Sequence, residues 1–338
     1  MILKNKYAIG CHVMFYEIEM VSEYVDSCIK MSENIENKEN LLFHFTFNLS
    51  EHFEKIDTNK INVSTLMHKI MDEMNKFKKL NILYRIETKT NEDSIYNIPA
   101  YRRDLNYNYC LDYDYVLWGE SDCMWPINTF KILEEINDYC NQHYMPKHVI
   151  TFSYRKMWDN SWLPVEHIKY KKMKFQKDKE WQENAKESPK SYMSYDEMLK
   201  INKEYETLGT EVSFLTEPKF DGSCLVISSE LIKSGINIPH SLLLCSEDES
   251  FSMLCKKILG NEFRQVAIQN VLRIHNRRHP RKRNYVLNEE NQSGYCDKKG
   301  KWWGILERMS KSNSHNLYTQ QRFFTYEDFK KEMKKLNE

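Results

Sequence analysis

Tyr113-Asp114-Tyr115-Val116-Leu117-Trp118-Gly119-Glu120-Ser121-Asp122 is the stretch on which the reading of this chain turns. Tyr113 to Trp118 is an apolar, aromatic run suited to a buried strand. It stops at a glycine and an acid-x-acid triplet. In open α/β sheets, ligands bind beyond the carboxyl ends of the strands. Residues i and i+2 of an extended segment point the same way, so Glu120 and Asp122 can face one ion. Hard divalent cations take oxygen ligands of this kind. Such triplets are common among the solvated acids of surface loops. This one lies between an aromatic strand and Trp125-Pro126, a setting unlike that of a solubilising loop.

Working outward, the preceding sequence alternates strand-like and helix-like segments. Tyr7 to Tyr16 is β-prone and ends at Glu17, and Ile18 to Met31 reads as a helix. Leu41 to Leu49 is a second strand. Leu66, Ile70, Met71, Met74 and Phe77 then fall at helical spacing. Ile82 to Ile86 is a third strand, and Ile98 to Cys110 opens with a proline fit for a first helical turn. With Tyr113 to Trp118 as the fourth strand, this rhythm predicts an α/β fold: an open, mainly parallel sheet with helices on both faces, Rossmann-like in layout. Downstream, helices are expected over Ile127–Tyr139, near Tyr195–Tyr205, over Glu230–Ser234, over Glu247–Leu259 and over Thr325–Glu338. Strands are expected over Val149–Tyr154, Ser223–Ser228 and Gln265–His275. The lysine-rich stretch at about 165–195 reads as an insertion. One domain over 1–285 is expected, with a partly helical C-terminal extension over 286–338.

The 338 residues carry 49 basic and 49 acidic side chains, so no net positive charge argues for nucleic acid. Nine cysteines, with no CxxC pair, propose neither a disulfide framework nor a zinc site. Free cysteines in apolar contexts fit a reducing compartment. With no signal-type N-terminus and no apolar run of the ~20 residues a span requires, a cytoplasmic placement without a membrane span is expected.

Tyr101-Arg102-Arg103-Asp104 followed by Tyr113 to Asp122 resembles GT-A fold, family-2-like nucleotide-sugar glycosyltransferases. In these an arginine-bearing helix precedes a strand ending in a DxD motif. The resemblance places Glu120 at the first acid of that motif and Asp122 at the second. The chain departs from the family in having Glu120 where Asp is usual, which makes Asp122 the firmer metal ligand. It also implies a metal, Mn²⁺ or Mg²⁺, bridging a nucleotide-sugar donor, with a UDP-sugar the expected one. The ion would offset charge on the departing diphosphate.

A second acid pair, Glu247-Asp248, follows an apolar run and opens a helix, with Ser246 as a cap. Acids in a first turn are also favoured by the helix dipole alone. The resemblance matches the pair to acids on the acceptor side, making Asp248 the candidate base and Glu247 the second catalytic acid. It also matches His275, at a strand end, to a C-terminal histidine ligand. Imidazole with carboxylates favours Mn²⁺ over Mg²⁺. Arg103 and the cluster Arg277 to Arg283 suit a diphosphate, since arginine forks pair with phosphate. Phe15 and Asn48, near the ends of the first two strands, are assigned to the donor, with Asn48 reading a base edge. The acceptor is a glycan or a hydroxymethylated DNA base. A nucleotidyltransferase on a similar sheet is the alternative enzyme, although Phe15-Tyr16-Glu17-Ile18 lacks its glycine-rich loop. A non-catalytic nucleic-acid or glycan-binding protein is the alternative outside catalysis.

Overall fold

The computed structural model describes residues 1–14, 17, 21–48, 63–89, 97–156, 193–203, 208–220, 222–276 and 300–337. Strand β1 (Tyr7–Met14) leads to helix α1 (Val21–Ser32), and β2 (Leu41–Asn48) to α2 (Val63–Lys79). Next come β3 (Leu83–Lys89) and α3 (Ile98–Tyr109). β4 (Tyr115–Glu120) then passes through the two-residue β5 (Cys123–Met124) into α4 (Thr129–Gln142). β1 to β4 form a parallel block in the order β3-β2-β1-β4.

The strand sequences explain that order. Every residue of β2 is buried, as an internal strand of a sheet covered on both faces requires. Phe43, Phe45 and Phe47 share one face by the two-residue period and join the core beneath α1, α2 and α4. Phe77 of α2 packs tilted against Phe43, with 4.8 Å between ring centroids. Each such ring stabilises by about 1.5–3 kcal/mol on burial. β3 alternates exposed and half-buried residues and carries the charges that suit an edge. The opposite face packs Tyr101, Leu105 and Tyr109 of α3 with Ala8, Val116 and Trp118.

The second half of the sheet is mixed. It comprises β6 (His148–Lys156), β7 (Val212–Leu215), β8 (Val226–Ser228) and β9 (Arg264–His275), together with β5. The full path is β3-β2-β1-β4-β8-β6-β9-β5, with β7 on β9. β6 and β9 are parallel, whereas β8 is antiparallel to both β4 and β6, and β5 and β7 are antiparallel to β9. Helices α5 (Tyr195–Lys203), α6 (Ser229–Lys233) and α7 (Glu247–Leu259) accompany this half. α8 (Gly300–Asn316) and α9 (Tyr326–Asn337) follow. α6 and α7 contribute Leu231, Ile232, Phe251 and Cys255 to the core beneath α3.

The fold is thus a single α/β sheet with helices on both faces, as the sequence rhythm predicts. Three elements were not anticipated: β5, β7 and α8. β5 and β7 are too short to show a period. α8 opens on Gly300, a poor helix former, directly after the charged Asp297-Lys298-Lys299 in the sequence. Most of the lysine-rich insertion lies outside the described residues. Among the described residues no helix is long and apolar enough to cross a membrane.

Candidate metal centre

Strand direction assembles the site. β1 pairs with β2 on one side and β4 on the other, which opens a crevice beyond the carboxyl ends of β1 and β4. Glu120 ends β4 and lies in register with His12 of β1. Because β8 runs antiparallel to β4, the residues that precede β8 arrive at this same edge. Trp118 donates its backbone N–H to Leu225 at 2.9 Å, so Gly222 to Cys224 lie alongside the end of β4. Because β5 is antiparallel to β9, Cys123 pairs with His275. Asn276 extends this pairing by donating its backbone N–H to the Asp122 carbonyl at 2.7 Å.

The side chains converge accordingly. Nε2 of His275 lies 3.2 Å from Glu120 Oε2 and 3.2 Å from Asp122 Oδ1. One donor atom from each of Glu120, Asp122, Cys123 and His275 lies within 4.8 Å of the others. An octahedral ion with bonds of ~2.0–2.1 Å holds neighbouring donors ~3 Å apart and opposite donors ~4.2 Å apart. The carboxylate and imidazole atoms are therefore spaced to take one ion after small rotations. Asp122 and Cys123 are buried, while Glu120 and His275 keep partial access to solvent.

The charges support one another. Burial alone would raise the Glu120 pKa, but hydrogen bonding to His275 and the Arg102 charge bring it down to about 2. Burial opposes charging of His275, yet Cys123 and Asp122 hold its pKa well above the ordinary histidine value. Burial pushes the Cys123 thiol well up. Burial also lowers His12 to about 3, helped by the Arg102 charge, so a neutral imidazole lies beside Glu120.

Arg102 joins this cluster to the second acid pair. It is 1% exposed, stacks over Trp118 at 5.0 Å and pairs with Glu120 at 2.5 Å. Its other terminal nitrogen pairs with Glu247. Burial works against the Arg102 charge, but Glu247, Glu120 and Asp248 raise its pKa. For Glu247 burial prevails over Arg102, and its pKa is raised. A methyl group placed on Gly222 would meet the Arg102 guanidinium and come within 3.3 Å of Asp248 Cβ. Only a residue without a side chain allows this approach. Glu247 and Asp248 are both buried at the start of α7. Ser246 sits at its N-cap with φ 66° and makes no side-chain cap bond, contrary to the expected role. Its carbonyl instead accepts the Ser250 N–H at 3.0 Å. A left-handed serine immediately before the acid pair costs of order ~1–3 kcal/mol.

Arg103 donates to the Pro239 carbonyl at 3.4 Å. Asn48 is buried at the end of β2, in register with Met14. Phe15 and Arg277 lie outside the described residues. Arg102 and Cys123 are not assigned to the site by any motif legible in the sequence, although the arginine carries one signal. Arg102 shares the buried stripe of Tyr101, Leu105, Asn106 and Tyr109, at spacings that bring residues onto one helical face. In the sequence Glu17 only marks the end of the first strand. It accepts from the Met14 N–H at 3.2 Å and from Ser121 Oγ at 3.0 Å, tying the end of β1 to the acidic triplet.

No protein-family model and no curated protein matches the chain. Solved structures to which it is similar include M. tuberculosis glucosyl-3-phosphoglycerate synthase, at 8% identity and a TM-score of 0.41, covering 92% of this chain and 79% of that one. GalNAc-T7 with UDP, GalNAc and Mn²⁺ is similar at 10% identity and a TM-score of 0.42, covering 80% of this chain and 44% of that one. Apo UDP-glucose pyrophosphorylase is similar at 7% identity and a TM-score of 0.34, covering 78% of this chain and 90% of that one. The first two are GT-A-type glycosyltransferases, the group the sequence resembles. Likeness of this degree says nothing of activity.

Proposed function

We propose that the chain is a metal-dependent glycosyltransferase that moves a sugar from a nucleotide-sugar donor to an acceptor hydroxyl. The observation that carries this reading is the meeting of Glu120, Asp122 and His275 at the carboxyl edge of β4. Their donor atoms are spaced for one divalent ion, next to the crevice where such sheets bind nucleotides. Oxygen and imidazole donors favour Mn²⁺ over Mg²⁺. A bound ion supplies positive charge opposite the donor diphosphate. Asp122 is the principal ligand, because Glu120 is shared with Arg102. Arg102 fixes the Glu120 carboxylate and, through Glu247, the start of α7. If the reaction inverts, Asp248, one residue on, takes the acceptor proton at a carboxylate oxygen as the acceptor oxygen bonds to the sugar carbon. The bond from that carbon to the diphosphate breaks, and the nucleoside diphosphate leaves. The Glu249 backbone N–H donates to Asp248 Oδ1 at 2.8 Å, which orients the carboxylate for this step. Arg103, Asn48, Phe15 and Arg277 remain donor-side candidates, and a UDP-sugar with a glycan acceptor is the first pair to assay.

Two variants test the division of labour. Asp122→Asn is expected to lose Mn²⁺-dependent nucleoside diphosphate affinity in calorimetry. Asp248→Asn is expected to keep that affinity within a few-fold while lowering transfer by ~10²–10⁴. Loss of nucleotide binding in folded Asp248→Asn would move that acid to the donor side. Full transfer in excess chelator would refute the metal role. Pyrophosphate as the product, in place of a nucleoside diphosphate, would mark nucleotidyl transfer instead.

A further inference from the structure

The fourth member of the donor cluster is a sulfur atom. Cys123 is wholly buried and opposes His275 across the β5–β9 ladder. Its Sγ lies within 4.8 Å of the Glu120, Asp122 and His275 donor atoms. Arg273 lies two residues before His275 on β9, so their side chains share a face of the strand. Nη1 of Arg273 donates to Cys123 Sγ at 3.4 Å and to Ser223 Oγ at 2.6 Å. The guanidinium is 0% exposed. The sulfur thus accepts from a buried cation, while burial holds the free thiol well above its ordinary pKa; the form that binds metals is the thiolate.

The chemistry of the donors decides which ion they prefer. Two carboxylates alone suit Mg²⁺ or Mn²⁺, an imidazole broadens the choice, and a thiolate selects softer ions. We propose that Cys123 Sγ is an inner ligand of the cation site, and that the site therefore takes a thiophilic divalent ion of the Zn²⁺ or Co²⁺ class ahead of Mn²⁺, and Mn²⁺ ahead of Mg²⁺. This rests on the cation-site reading above and adds the fourth donor and the ion class to it. On binding, the S–H bond breaks, its proton passes to solvent, and the sulfur lone pair forms the bond to the ion. No electron is transferred. Arg273 would then donate to the bound thiolate, as a second layer of hydrogen bonding does for metal ligands in general.

Cobalt reads the ligand directly. The metal-free full-length protein is titrated with Co²⁺, following the visible d–d bands and the near-ultraviolet sulfur-to-cobalt charge-transfer band. Both are expected in the wild type, saturating together. Cys123→Ser is expected to keep the d–d bands and lose the charge-transfer band. Cys224→Ser, which alters a neighbouring buried thiol outside the donor cluster, is expected to keep both. Should Cys123→Ser misfold, Cys123→Ala carries the same comparison without burying a hydroxyl. A wild-type d–d spectrum with no charge-transfer band would show the thiol to be a spectator and overturn the proposal while leaving the cation site standing. Survival of the band in the Cys123 variant would overturn it as well. Absence of any cobalt spectrum in the wild type would remove both the thiol ligand and the cation site.

Discussion

The two halves of the sheet contribute to the site in different ways. The parallel half presents its acids at the end of a strand that is continuous with them in sequence. Glu120 ends β4, and Asp122 follows two residues later. The mixed half contributes His275 and Gly222, and α7 adds Glu247 and Asp248, all of them a hundred residues or more farther along the chain. They meet the acids because β8 and β5 run antiparallel to β4 and β9. A parallel crossover would have carried the residues before β8 to the opposite edge. The reversal of direction in a strand of three residues therefore decides what faces the metal cluster. The parallel half sets where the crevice lies, and the mixed half sets what lines it.

Arg102 is where the comparison is most easily broken. It belongs to α3 on the parallel half and holds Glu120 on one side and Glu247 on the other. Removing one partner from a buried ionic network leaves the others uncompensated and costs about 3–5 kcal/mol. Arg102→Met keeps most of the packing over Trp118 while removing the charge. Urea unfolding is expected to show a loss of that size, and Glu247→Leu in the same chain should restore part of it. A loss below ~1 kcal/mol would mean that the halves are not joined through this residue.

Two glycines separate the contributions further. A methyl on Gly119 would meet the Tyr24 hydroxyl and lie 2.7 Å from the Gly10 carbonyl oxygen. A strand backbone cannot yield as a side chain can, so Gly119→Ala is expected to cost about 1–3 kcal/mol of stability through overpacking. A methyl on Gly222 would meet the end of the Arg102 side chain, which can move. Gly222→Ala is therefore expected to cost less stability and to weaken cation binding more, because the displaced guanidinium alters its hold on Glu120. Urea titration and cobalt titration of the two variants measure both quantities. Equal effects on both would show that the mixed half is as rigidly structural as the parallel one.

The difference between the halves also explains what could be read from the sequence. Strand and helix periods from Tyr7 to Tyr139 are local signals, and the four leading strands emerge close to where the sequence places them. Glu120 with Asp122 is equally local, since the spacing is two residues on one extended segment. The antiparallel direction of β8 is not local. Val226–Ser228 is apolar in either direction, and only its partners fix its sense. Cys123 carries no local signal for a related reason. Its companions in the cluster come from two separated segments, so no cysteine spacing exists to announce it. Arg102 and Arg103 are adjacent and chemically alike, and only the buried stripe of α3 distinguishes them.

The smallest expected effect concerns how the mixed half holds α7. Ser310 of α8 is buried, and its Oγ accepts the backbone N–H groups of Leu243, Leu244 and Cys245 at 3.2, 3.2 and 3.1 Å. It donates to the Cys245 carbonyl at 2.7 Å. One hydroxyl thus fixes the loop that ends in the left-handed Ser246 and the Glu247-Asp248 pair. Leu306 and Met309 of α8 add apolar contact with Leu244, so removing the hydroxyl should not release the helix. Ser310→Ala is expected to cost about 1 kcal/mol, the ordinary net value of an intramolecular hydrogen bond. The informative readout is where that loss is felt. The metal cluster is anchored by β4, β5 and β9, and none of these strands is bonded to Ser310. Cobalt affinity in Ser310→Ala should therefore match the wild type, whereas transfer should fall as Asp248 loses its fixed position. A fall in cobalt affinity as large as the fall in transfer would show that the loop and the metal cluster move as one body, and the two-part description of the site would give way to a single rigid edge.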